Sequence, residues 1–547
     1  MMIDLTQKPF YLTKKQSTEI IEQASHLTDE EKIGQLFCLL GSIYSDDELE
    51  RLVSDYHVSG FLFRPMPASE LQKKWARLDQ IAKFPLFKAA NLEEGGYGAN
   101  EEGTYFANPL QVAAANDLEI TKKFAKVCAV EGIAAGCNWN FAPVSDIDFN
   151  YRNPITNVRT YGSDVQKVVD NVKCYVQTLQ ECGMAAACKH FPGDGVDFRD
   201  QHLHPTYNTL STEEWYASYG RVYKEAIDVG LLSVMIGHIV QPALEKQMND
   251  QLELADMLPA SQSKELLSGV LRGKLDFNGV IITDATIMGG YCMTLPRKEA
   301  LTASINAGCD MFCFSTDFYE DYEYLLEALH DGTLAKNRLD EAVIRILALK
   351  KKLELMAKPQ DLIEATVWRN ECADKSITLV KDIQHLIPLN QKKFPHIELT
   401  VVGKDEVAEG YSISSLAENY FKSQGFNVSH YHPLEDDLHG TSQLSKDKLR
   451  LILVNCPTAS NQTTVRINWS PKHALDMPRF VDEETYAMIS LNNPYHLQDA
   501  PRVRTYINAY SPTKASVLAS FDKLLGYSKF EGESPVDAFC GLADTHL

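Results

Sequence analysis

The chain has 547 residues, of which 44% are hydrophobic and 23% charged, and its formal net charge is −21. That length suits two or three domains, and that composition excludes a mainly disordered chain. So acidic a surface argues against nucleic acid or anionic membrane as the main partner.

The opening MMIDLTQKPFYLTKKQ lacks the apolar core of a signal peptide, and no run reaches the roughly 20 apolar residues of a membrane span. A cytoplasmic location is the expectation. The 12 cysteines form no CxxC pair, and Cys128, Cys188, Cys309 and Cys313 sit inside apolar runs, as buried reduced thiols do.

Between residues 25 and 355, short apolar runs alternate with longer amphipathic stretches. The runs SGFLF (59–63), PLFKAA (85–90), NWNFAPV (138–144), MAAACKH (184–190), LSVMIGH (232–238), FNGVIITD (277–284) and DMFCFS (310–315) read as buried parallel strands. Segments 117–135, 163–182, 212–229 and 336–355 read as helices; in the last, apolar positions recur every three or four residues and mark one buried face. This pattern predicts an α/β fold whose N-terminal part, 1–355, is a (β/α)8 TIM-like barrel, its eighth strand unplaced. A doubly wound open sheet is the competing topology. Residues 356–374 read as a linker. Over 375–547 the runs ELTVVG (398–403), LRLILVN (449–455), YAMISLN (486–492) and RTYINAY (504–510) predict a smaller, three-layer α/β sandwich.

Nearly every strand of the first part ends in a polar residue: Asn91 with Glu93 and Glu94, Asp146, Lys189 with His190, His238, Asp284 and Ser315. Barrel active sites lie at the C-terminal strand ends, so these residues would converge on one polar mouth. A single strand-end Asp often only caps a helix, and a single His is often a satisfied core residue; the joint pattern points to function. After Lys189-His190 comes a turned loop, Phe191-Pro192-Gly193-Asp194-Gly195, and then Asp200-Gln201-His202-Leu203-His204. A carboxylate two residues from an imidazole can orient it and favour its protonated form, which suits a general acid. Metal binding by His190, Asp200, His202 and His204 is the rival reading, but no usual zinc spacing occurs, so no metal is expected. Asp284, ending an apolar strand, suits a nucleophile toward an anomeric carbon. A retaining glycosidase needs such a nucleophile and an acid/base group flanking one bond, and two protein groups suffice without a cofactor.

At this point the chain resembles glycoside hydrolase family 3, and more narrowly its β-N-acetylglucosaminidase subgroup. The loop KHFPGDG followed by DQH, with FNGVIITDA downstream, is similar to the subgroup's K-H-F-P-G-x-G and D-x-H. LTDEEKIGQLF, ending at Phe37, is similar to the family's opening helix, and NFAPVSDIDFN with NPITNVRTYGSD (140–164) to its F-A-P-V-x-D and R-S-F-G segment. SITLVKDIQHLIPLN, NPYHLQDAP and KFEGESPVD resemble the second-domain entry and closing motifs.

The resemblance implies that Asp284 is the nucleophile, His202 the acid/base and Asp200 its partner. It implies that Arg159, Lys189 and His190 bind sugar hydroxyls; Asn91, Glu94, Asp146 and His238 are further candidates from the strand-end pattern. The family's D-x-E-G-G-R is here Asn91-Leu92-Glu93-Glu94-Gly95-Gly96-Tyr97, so its sugar-binding Asp is Asn91 or absent and its Arg is missing. The expected activity is retaining, exo-acting β-N-acetylglucosaminidase action on small glycans or muropeptides, by a monomer or homodimer. Three alternatives stand beside it. Phosphorolysis is open to an imidazole acid/base, which repels an anion less than a carboxylate does. A β-glucosidase-like activity would need an acid such as Glu483, Glu484 or Glu531. A catalytically silent carbohydrate-binding protein would fit the altered motif.

Overall fold

The computed structural model describes residues 3–357, 363–434, 441 and 444–547. The chain divides into two compact units. The first comprises 1–106, 121–150 and 165–363, and the second 107–120, 151–164 and 364–547. Two short pieces of the expected barrel region thus cluster with the C-terminal unit. Part of the expected linker 356–374, residues 358–362, lies outside the described residues, and Ala365–Ser376 is helical.

The first unit is a closed, all-parallel barrel of eight strands: β1 (Phe37–Leu40), β2 (Gly60–Leu62), β3 (Phe87–Ala90), β4 (Trp139–Asn140), β5 (Ala185–Phe191), β6 (Ser233–Ile236), β7 (Val280–Ala285) and β8 (Met311–Cys313). Each strand hydrogen-bonds its sequence neighbours, and β1 closes the ring by pairing with both β2 and β8. The seven expected runs supply β2 to β8. The eighth strand, β1, follows the helix Asp29–Gly34, whose Thr28/Glu31 capping box fixes its start. Its sequence, Phe-Cys-Leu-Leu, has no β-branched residue, so the helical pattern before it masked the strand. The barrel strands are buried almost throughout, as helices cover the outside and side chains fill the inside. Among the described residues no helix is long and apolar enough to cross a membrane.

The second unit is built on a six-stranded sheet: β9 (Thr378–Asp382), β10 (His396–Gly403), β11 (Asn427–His430), β12 (Lys448–Asn455), β13 (Thr485–Ser490) and β14 (Thr505–Asn508). The spatial order is β9-β14-β13-β12-β10-β11, all parallel except β9, which runs antiparallel to β14. Strand alternation explains how both faces are buried. Leu449, Leu451 and Leu453 of β12 join a core with Ala373, Phe421 and Phe521 from the helices Ala365–Ser376, Ile413–Ser423 and Lys514–Leu525. Ile452 and Val454 of the same strand point to the other face, against Ile467, Leu497 and Val503. That face is covered by largely irregular chain where the reading of three layers called for helices. The inserted piece 107–120 belongs here because Leu110 and Ala114 pack with Tyr495, Tyr510 and Val536.

Candidate active site

The candidate residues of the first unit gather at the C-terminal ends of the barrel strands. Lys189 and His190 stand just before the last residue of strand β5, and both are buried. Lys189 Nζ is 2.5 Å from Glu93 Oε1. His190 is held from two sides by Asp146, which follows β4. The His190 backbone N–H donates to Asp146 Oδ1 at 3.0 Å, and ring Nδ1 lies 2.6 Å from Oδ2. Asp146 Oδ1 also accepts the Asp194 N–H at 2.8 Å, so one buried carboxylate fixes both the imidazole and the loop that follows it. The free edge of the ring faces β7, with His190 Nε2 3.8 Å from Asp284 Oδ2.

Asp284 stands near the end of β7 and accepts the Ala285 N–H at 2.7 Å through Oδ1. Burial pushes its pKa up, but the imidazoles of His190, His238 and His202, with the Ala285 N–H, outweigh that and hold it below the usual carboxylate value. The carboxylate is therefore ionised at neutral pH, and among the described residues Oδ2 accepts no hydrogen bond, which is the state a nucleophile needs.

The second His–Asp pair lies on the loop after β5. Asp200 is buried, and its Oδ1 accepts the His202 N–H at 2.9 Å and lies 2.7 Å from His202 Nδ1. Nδ1 is thereby committed to the carboxylate, and Nε2 is the nitrogen left to exchange a proton. The His202 side chain keeps 23% of its surface exposed, against 4% for His190. The loop is pinned on both sides of the pair. Trp215 Nε1 donates to the Pro192 carbonyl at 2.8 Å and Asn208 Nδ2 to the Gly193 carbonyl at 3.0 Å, and Thr206–Tyr207 pairs in parallel with Ile239–Val240.

His238 takes a different part from the one expected. It is fully buried, Nδ1 lies 2.9 Å from Ser261 Oγ, and Nε2 donates to the Ala285 carbonyl at 3.1 Å. Burial pushes its pKa down to about 4, against a weaker upward pull from Asp284. Both ring nitrogens being engaged, this neutral imidazole props the end of β7 and has none left for a sugar hydroxyl. The other candidates divide. Asn91 is exposed beyond β3, and Glu94 is half-buried there. Arg159 belongs to the second unit, on the single turn Asn157–Arg159, where Nη1 donates to the Ile155 carbonyl at 3.2 Å. Glu484, considered as an alternative acid, is buried in the second unit 2.7 Å from Arg450 Nε.

The rival metal reading finds no support in the geometry. His190 and His202 turn to separate carboxylates, and His204 Nδ1 lies 3.1 Å from the Pro205 carbonyl. Among the described residues no group of three or more His, Cys, Asp or Glu side chains converges as a metal site would require.

Two kinds of residue escaped the sequence reading. Gln201 is buried between the dyad partners, and its Oε1 accepts the His238 N–H at 2.7 Å. Gly289 and Gly290, after β7, donate to the carbonyls of His202 and Gln201. A Gly-Gly pair after a strand end signals a turn, but no pattern tells which loop it meets.

Comparison with known proteins adds four findings. Residues 28–349 match the model of the glycosyl hydrolase family 3 N-terminal domain. A β-N-acetylglucosaminidase/β-glucosidase of Cellulomonas fimi is 38% identical over the whole of both chains. Among solved structures, a β-glucoside phosphorylase, BglX, bound to 2FGlc superposes with a TM-score of 0.92 at 40% identity, covering 98% of this chain and 99% of its own. A family 3 β-N-acetylglucosaminidase from Paenibacillus sp. FPU-7 shares the fold, with a TM-score of 0.77 at 24% identity over 94% of this chain and all of its own.

Proposed function

Because this chain belongs to glycoside hydrolase family 3 and acts on O-glycosyl bonds, we propose that it cleaves terminal β-linked glucosyl or N-acetylglucosaminyl residues by double displacement, with Asp284 as nucleophile and His202–Asp200 as acid/base. In the first step Asp284 Oδ2 attacks the anomeric carbon while protonated His202 gives its Nε2 proton to the departing oxygen. The products are a glycosyl ester on Asp284, a free alcohol and a neutral imidazole. Lys189, fixed by Glu93, and His190, fixed by Asp146, are proposed to hold the hydroxyls of the sugar that Asp284 attacks.

The observation that carries the reading is the pairing of an ionised, buried Asp284 with an accessible imidazole whose other nitrogen is tied to Asp200. The same observation favours phosphate as the acceptor in the second step. A neutral imidazole leaves an approaching phosphate unrepelled, where a carboxylate base would oppose it by charge. Phosphate oxygen attacks the anomeric carbon, the ester to Asp284 breaks, and the phosphate proton returns to His202. Two inversions leave a β-configured sugar 1-phosphate. The near end-to-end likeness to the β-glucoside phosphorylase BglX supports this acceptor. The second reading, hydrolysis, is supported by the name of the C. fimi relative; there water attacks and gives its proton to His202. Exo action suits small glycans or muropeptides, and a cytoplasmic setting fits 12 free cysteines.

The test is product analysis with aryl β-glucosides and β-N-acetylglucosaminides, in phosphate and in phosphate-free buffer. The expected result is phosphate-dependent release of the β-sugar 1-phosphate. Free sugar at a phosphate-independent rate selects hydrolysis. No turnover of any activated glycoside overturns both.

A further inference from the structure

The dyad depends on a contact that lies outside the catalytic groups themselves. The chain leaving β7 turns at Ala285, where the Met288 N–H donates to the Ala285 carbonyl at 3.1 Å, and enters the short helix Gly289–Cys292. Its first two residues meet the dyad loop backbone to backbone. The Gly289 N–H donates to the His202 carbonyl at 2.8 Å, and the Gly290 N–H to the Gln201 carbonyl at 3.1 Å. A second bridge runs beside the first. Gln201 Oε1 accepts the His238 N–H, and His238 Nε2 donates to the Ala285 carbonyl. Both bridges start within a few residues of Asp284 and end at Gln201 or His202. The loop bearing the acid is thus referenced to the strand bearing the nucleophile.

Neither glycine needs its conformational freedom, since neither has a left-handed φ. What each supplies is the absence of a side chain. A Cβ on Gly289 would run into the Leu203 carbonyl oxygen, and one on Gly290 would lie 2.5 Å from the Gln201 oxygen and 2.8 Å from His238 Cβ. Those neighbours are backbone or the Cβ of a buried histidine, so relief comes from moving the loop.

We propose that Gly289 and Gly290 form a backbone clamp that seats His202 against the departing oxygen, making them positioning residues for proton donation. This rests on the reading of His202 as the acid. Alanine at either position keeps the N–H, is allowed at that φ and shifts the loop outward. General acid catalysis contributes about 10²–10⁴-fold, and a displacement of about 1 Å can remove much of it.

The experiment compares wild type, Gly290→Ala, Gly289→Ala and His202→Ala on two β-glycosides, one with a 2,4-dinitrophenyl and one with an alkyl leaving group. The clamp predicts that both glycine variants lose roughly 10–100-fold in kcat/KM on the alkyl glycoside. They should keep wild-type kcat/KM on the dinitrophenyl glycoside, whose departure in the first step needs no proton. A merely structural lesion would slow both substrates alike. If His202→Ala shows the leaving-group dependence and the folded glycine variants do not, the clamp is wrong and the functional reading stands. If His202→Ala itself shows none, the functional reading falls and the clamp with it. Amide hydrogen exchange of the wild type gives an answer that needs no variant: the Gly289 and Gly290 N–H groups should be protected, and rapid exchange at both would overturn the clamp.

Discussion

Two His–Asp pairs occupy the mouth of the barrel, and they differ in everything except their chemistry. His190 sits on strand β5, its carboxylate is buried after β4, and the pair is closed to water. His202 sits on a loop, with a buried carboxylate beneath it and an exposed ring above. The first imidazole has its outer nitrogen 3.8 Å from Asp284; the second has Nδ1 tied to Asp200 and, among the described residues, no hydrogen-bond partner on its outer nitrogen. Rigidity suits holding a substrate and stabilising Asp284 as an anion, while access suits passing a proton to a group that leaves. On the proposed mechanism, burial and anchoring, not residue type, suit the two pairs to different work.

The comparison can be broken at four points. The largest effect belongs to the group that both pairs serve: Asp284→Ala should lower kcat on the order of 10⁴-fold for every leaving group. Steady-state kinetics check it, and near-normal turnover would remove the common target. Next come the two imidazoles. In kcat/KM, His202→Ala should cost about 10²–10³-fold on alkyl glycosides and little on dinitrophenyl ones. His190→Ala should slow both substrates alike, because it touches the sugar and Asp284; identical leaving-group profiles for the two variants would erase the distinction.

The carboxylates should differ in stability. Asp146→Ala strands two buried N–H donors and a buried ring, costing about 3 kcal/mol, whereas Asp200→Ala frees a ring that can turn to water and costs about 1 kcal/mol. Urea unfolding of the two variants measures the gap. The smallest effect concerns the neutral third imidazole. The folded pKa of His238, about 4, lies below its usual 6.5, so the unfolded chain takes up a proton first as pH falls. Its contribution is present in full above pH 6.5 and lost as pH drops toward 4. Between pH 7 and 5 the loss is about 2 kcal/mol, and His238→Gln should flatten that part of the stability profile.

The barrel was legible because its strands are buried on both faces and so read as unbroken apolar runs, seven of them in register with the structure. The strand β1 was hidden by its lack of β-branched residues and by a capped helix just before it. The insertion of 107–120 and 151–164 into the second unit was invisible, since membership of a core depends on packing between distant segments. At the site, Asp284 and His202 stood out by position and spacing. His238 looked like one more strand-end ligand, and only its bonds to Ser261 and Ala285 show it as a prop. Gln201 stood out only as a departure from the Ser that the subgroup often has there, because its contact lies in which backbone N–H its amide reaches.

The central claim is that Asp284 bonds to the anomeric carbon. Reaction with a 2-deoxy-2-fluoro β-glycoside bearing a good leaving group, followed by peptide mapping, tests it most directly. The account predicts one sugar per chain, carried on Asp284, with none taken up by Asp284→Ala. A stoichiometric label on any other residue would contradict it.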